Sequence, residues 1–304
     1  AGSVLNIDAE NITLAGGDSA TVTIIDGFDK VNLTAAKEAG FSGTGSTTVN
    51  ALEINVTSTR ITAATGTDYK LIASGILNTA NVAIPATLAD ADDLGAKLTL
   101  AAASVTLGGN VELPSGQFTA QATTGNLTVA NGAGIKAASV PVKFDKYTEH
   151  TPGGSVTLQA DAGSVTVEAG STIDVSGGAG GDAGVLKVIA ANGSTTMNGV
   201  LNGQSITGQQ AGSLVLNTGT LPDFSGLNTA LNNGGFAASR DMRIRSGDVT
   251  IAAGDKVTAE KVVISADAGN IVIAGTVDAD GANGGSIAMY ARDNVTLKNT
   301  GQLL

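Results

Sequence analysis

The stretch from Gly153 to Gly184 limits what this chain can fold into more than any other. It opens Gly153-Gly154-Ser155-Val156-Thr157-Leu158, turns at Ala160-Asp161-Ala162-Gly163 and resumes as Ser164-Val165-Thr166-Val167. After a second turn at Ala169-Gly170 it runs Thr172-Ile173-Asp174-Val175 and ends in a glycine cluster, Gly177 to Gly184. Alternation of apolar and polar residues over so short a run predicts a strand with one buried face. In Val165-Thr166-Val167 the two valines share one face and the threonine takes the other. A triplet buries too little surface to hold itself together, so its core has to come from stacked copies.

Copies are present. The Ala160–Gly163 corner and the strand after it return as Ala266-Asp267-Ala268-Gly269, then Asn270-Ile271-Val272-Ile273 and Gly275-Thr276-Val277-Asp278. Looser copies start at Asn11, Ser104, Gly125, Asp248 and Asn294. The shared unit is a small polar residue, apolar–Thr–apolar, one or two spacers with glycine, then a second short strand. Glycine and asparagine at the corners permit the left-handed backbone of a sharp turn. The strands are too short, and their corners too close together, for the hairpins of a β-sandwich or an up-and-down barrel. The pattern predicts an all-β chain, a right-handed parallel β-helix. At a usual ~20–30 residues per coil, the 304 residues make one segment, 1–304, of roughly 10–14 coils and ~50–65 Å.

Three stretches leave the pattern and predict excursions from the rod. Residues 28–48 hold Phe28 and Phe41 around Lys37-Glu38 and predict a short helix or loop. Residues 141–152, between Pro141 and Pro152, are the most charged and aromatic part and hold the single histidine, His150; they predict a loop. Residues 217–240 predict a short helix capped by Ser225, carrying Leu227 and Leu231, stopped by Gly234 and lying outside the solenoid.

Composition narrows function by exclusion. A net charge of −11 argues against nucleic acid and against an anionic membrane surface. No apolar run approaches the ~20 residues of a membrane-spanning helix. Without cysteine there are no disulfides or thiolate sites, which suits a chain that crosses an oxidising compartment unfolded. No secretion signal opens the chain, so an exported protein would carry it upstream.

Candidate chemistry is sparse. No serine stands in a nucleophile elbow. The acids Asp90, Asp92 and Asp93 raise the question of a polysaccharide-cleaving enzyme, which needs two carboxyls facing each other across a sugar. No His-Gly and no tryptophan accompany them. Asp174 and Asp278 occupy one repeat position and are expected to face solvent. Gly177–Val185 resembles the nonapeptide of calcium β-rolls, with Gly184 at the apolar position; Asp182 is its metal candidate. Asn11, Asn32, Asn55, Asn126, Asn192 and Asn294 fit the Asn-x-Ser/Thr acceptor pattern, which the repeat itself generates. The ligand-contact candidates are Lys146, Tyr147 and His150. The sequence calls for no cofactor and no catalytic residue.

The glycine-serine openings, the Ala-Asp-Ala-Gly corners and Gly180-Gly181-Asp182-Ala183-Gly184 resemble the filamentous haemagglutinin family of bacterial exoproteins. So does the run from Phe224-Ser225-Gly226-Leu227 through Ser239-Arg240-Asp241-Met242 to Gly247-Asp248. The match is clearest from Gly153 onward. The chain contains neither Asn-Pro nor Arg-Gly-Asp. The resemblance implies an internal β-helix segment of a longer exoprotein, exported by two-partner secretion through an outer-membrane transporter to the surface of a Gram-negative bacterium or beyond. It implies a non-catalytic stalk or adhesin, active in cell adhesion and biofilm, whose partner is a host-cell or matrix polysaccharide. The alternative is a polysaccharide-binding or polysaccharide-degrading β-helix.

Overall fold

A computed structural model describes residues 2–281 and 284–304. The short alternating runs stack in parallel, each pairing with its counterpart one coil away, into a β-solenoid of about 11 turns. One sheet runs unbroken through the described residues, from Thr21–Ile25 to Ser286–Ala291. The opposite wall starts as long strands, such as Lys30–Ser42 and Glu53–Ala63. It then divides into two flanks of short strands, such as Val165–Val167 and Thr172–Asp174. Coil length varies without breaking register. Lys97 and its partner Gln117 are 20 residues apart, whereas Gln117 and Ser155 are 38 apart. The surplus in the long coil leaves the rod as a hairpin.

The triplets behave as their pattern requires. Leu127, Val165 and Thr195 form one inward row, and Val165 and Val167 are fully buried. The outward position of the same triplets forms a row of amides and hydroxyls: Asn6, Asn32, Asn55, Asn78, Thr106, Thr128, Thr166 and Thr196. Its asparagines bond along the rod, Asn32 to Asn6 at 2.7 Å, Asn55 to Asn32 at 2.9 Å and Asn78 to Asn55 at 3.0 Å. The acceptor-pattern residues Asn32 and Asn55 are therefore links in a ladder.

Glycine is required where coils touch at their corners. Val185 N donates to Gly154 O, and Ser155 N to Gly116 O. A Cβ on Gly154 would collide with the Gly116 carbonyl, and one on Gly184 with the Gly154 carbonyl. The same cluster is pinned by Gly177 N to Gln204 O (2.8 Å) and Gly153 N to Asp182 O (2.7 Å).

Two of the three expected excursions change character. Residues 28–48 are not a helix or loop; they are wall, in strands Lys30–Ser42 and Thr44–Val49. The polar pair that suggested a break sits at a bulge, where the register shifts between Ala35 and Glu38. The residues on either side still alternate, so Val31, Leu33, Ala35, Ala39 and Phe41 are buried. The Phe41 ring packs against Tyr69 at 5.5 Å.

Within 217–240, strand Ser213–Thr220 continues the unbroken sheet and a helix, α1, spans Phe224–Asn233. Its N-cap is Asp223, not Ser225: the Asp223 carboxylate accepts from Gly226 N at 2.7 Å. The Ser225 hydroxyl instead donates to Asp255. Gly234 ends α1 as expected.

Nor does α1 lie outside the solenoid. It packs against Val200–Asn202 on one side and against Val249–Ile251 and Lys256–Thr258 on the other. The flank ladders stop before it and restart after it as separate sheets. The helix stands in the wall in place of strands, with Phe224, Leu227 and Leu231 in the core.

Candidate functional site

The projecting feature is an antiparallel hairpin, Pro141–Phe144 with Tyr147–His150. Asp145 turns it with a φ of +48°, a conformation that aspartate tolerates better than most residues. What reads as a loop is thus a two-stranded excursion. Phe144 and Tyr147 pair across it at the tip, 59 % and 75 % exposed, whereas Phe41, Tyr69, Phe118, Phe224 and Phe236 are buried. Lys146 lies between them in the turn. His150 does not join them: it pairs with Pro141 at the base, half-buried, with its ring against Gly180. Of the three ligand-contact candidates, the fold brings Lys146 and Tyr147 together and leaves His150 as part of the hinge between hairpin and rod. Asp182 is committed to the coil corner, where its carboxylate accepts from Gln210 N at 2.7 Å. Among the described residues no three potential metal-ligating side chains converge.

Beside the hairpin runs a cleft. Its floor is the outward row Glu112, Lys136, Asp174 on the short-strand flank. One wall is the irregular chain between Val82 and Ala96, which is strapped down at several points. Arg60 Nη1 donates to Ala89 O (2.7 Å), Ala86 N to Thr59 Oγ1 (2.9 Å), Thr65 N to Asp93 Oδ1 (2.9 Å) and Leu94 N to Thr65 Oγ1 (2.9 Å). Near the hairpin the other wall is Val140 to Lys143. Two recesses of about 460 and 540 Å³ share Asp90, Glu112 and Lys136 and make one channel.

Of the floor charges Glu112 and Lys136 are matched, whereas Asp174 is in no ion pair among the described residues. Arg60 bridges Glu38 and Glu112, and Glu112 also pairs with Lys136 at 3.1 Å. The Arg60 and Glu112 side chains are only 14 % and 17 % exposed, so this chain of pairs is worth more than an open surface pair. Asp93, one of the three clustered acids, is spent on Thr65. Asp90 and Asp92 face the channel. The arrangement offers paired donors and acceptors at coil spacing next to two exposed aromatic rings, a surface suited to contact.

Sequence reasoning missed Glu38, Arg60, Glu112 and Lys136. No motif joins them, because they come from four different coils. The one usable signal was register: once coils are aligned, Glu112, Lys136 and Asp174 fall in one row. No protein-family model, no curated protein and no solved structure matches this chain.

Proposed function

We propose that this chain is a stalk segment of a secreted or surface-attached bacterial exoprotein, non-catalytic, which carries an adhesive contact on its side. The observation that carries the reading is a single one: an unbroken parallel ladder of about 11 turns that holds one hairpin, with exposed Phe144 and Tyr147, clear of the rod. Inter-coil hydrogen bonds along the unbroken sheet and buried, mostly apolar rows give stiffness. The rod sets reach, and the hairpin and its cleft make the contact. Export by two-partner secretion and a host-cell or matrix polysaccharide as the surface met belong to this reading.

The test is binding of the purified chain to epithelial cells and to a panel of acidic polysaccharides, beside a Phe144→Ala/Tyr147→Ala variant. Retention that falls at least about fivefold in the variant, roughly 1 kcal/mol, supports the reading. Shortening of any polysaccharide in the panel overturns its non-catalytic part. Equal retention of both proteins overturns the role of the hairpin.

A further inference from the structure

Arg240 is a cation in the core. It stands in the inward row of the unbroken sheet, between Leu214 and Val262, and is 1 % exposed. Its Nε donates to the Phe236 carbonyl at 2.8 Å, Nη1 to Asn228 Oδ1 at 2.8 Å and Nη2 to Asn232 Oδ1 at 2.7 Å. All three acceptors are neutral. A guanidinium has five N–H donors, so each terminal nitrogen keeps one without an acceptor among the described residues. No carboxylate among them comes within ion-pair distance of it. Burial pulls its pKa down to about 10, which leaves it charged at neutral pH. An interior cation without a counter-ion is strongly disfavoured.

Arg240 is one of the residues that line a recess of about 320 Å³ between the end of α1 and the strand Lys256–Thr258. Lys256 and Thr258 flank the buried Val257 and share the outward side of that strand. Two of the lining side chains, Arg240 and Lys256, are cations, and none is acidic. The nearest compensation is Asp278, which pairs with Lys256 at 2.7 Å from outside the lining.

We propose that this recess binds a small oxyanion, carboxylate or phosphate, on the part of Arg240 that lines it, with Lys256 as the second charge and the Thr258 hydroxyl as a further donor. A hydrogen bond from a charged donor to such an anion is shorter and about twice as strong as one between neutral groups. The site is independent of the adhesive contact: it lies in the wall at α1, several coils from the hairpin.

Calorimetric titration of the whole chain with inorganic phosphate and with acetate, at constant ionic strength, tests the proposal. Saturable binding is expected, weakened about tenfold in Lys256→Gln, the loss of one charge-assisted bond, and retained in Asp278→Asn, which removes no donor. Arg240→Gln should abolish it. If that variant fails to fold, Lys256→Gln, whose side chain is 55 % exposed, carries the test. Tighter binding of phosphate assigns the site to a free phosphate, and tighter binding of acetate to a carboxylate side chain or chain end. No saturable binding of either anion overturns the proposal. So does unchanged affinity in Lys256→Gln, which would place an adventitious ion elsewhere.

Discussion

The coils around Val165 and the coils around α1 solve one problem in two ways. At Val165 each coil covers its neighbour with a short strand in the same register, and buried rows that are apolar but for Thr195 close the wall. At α1 one coil has no flank strands to offer. The helix fills the gap with Phe224, Leu227 and Leu231, but it cannot supply a ladder of backbone bonds to either neighbour. Toward the later coil, side chains do so instead. Asn228 Nδ2 and Asn232 Nδ2 both donate to Lys256 O, at 3.0 and 2.6 Å, and their oxygens hold Arg240. A repeated wall needs only pattern, whereas an interrupted wall needs named residues that fit one another.

That contrast can be broken at several points. The largest effect is expected at Val165→Asp, which puts a carboxylate into the buried row between Leu127 and Thr195; we expect a loss of about 4 kcal/mol or more, read as the shift of the urea unfolding midpoint. A midpoint unchanged within error would show that the row does not close the wall.

Asn228→Ala, in the interrupted wall, removes the acceptor of Arg240 Nη1 and one of the two side-chain donors to Lys256 O. About 2–3 kcal/mol is expected. A loss below that of an ordinary surface substitution would show that α1 is held by its apolar face alone. Asp223→Ala deletes the α1 cap and should cost about 1 kcal/mol, visible in the same measurement. Removal of residues 142–150 should cost least, within about 0.5 kcal/mol, because the hairpin pairs only with itself. Loss of the β-sheet circular dichroism signal in that deletion would show that the hairpin helps to close the long coil.

Legibility in the sequence followed the same division. The repeated wall was readable because each triplet states its own inward and outward positions. Two features of that wall were misread. Residues 28–48 looked irregular because Lys37-Glu38 interrupts the alternation, yet a bulge absorbs the pair without removing either strand. The outside placement of α1 was also wrong, since an amphipathic helix packs equally well on a rod or in it. Leu227 and Leu231 at i, i+4 say only that one face is buried. The expected cap, Ser225, gives its hydroxyl to Asp255, and the Asp223 carboxylate caps α1 instead. On the hairpin beside the candidate cleft, Lys146 and Tyr147 were legible as residues of a charged, aromatic excursion. The paired charges in the floor of the cleft were not.

The chain by itself determined the solenoid: short alternating runs, glycine at the corners where carbonyls approach, and too little apolar surface per run to stand alone. Tertiary structure decided which residues from distant coils meet. Register brings Arg60 against Glu38 and Glu112, sets a helix where strands would have been, and buries Arg240 among neutral oxygens. The reason is physical. Strand direction and burial follow from neighbours in sequence, whereas a row across coils depends on how many residues each coil spends at its corners, and that number runs from 20 residues per coil to 38.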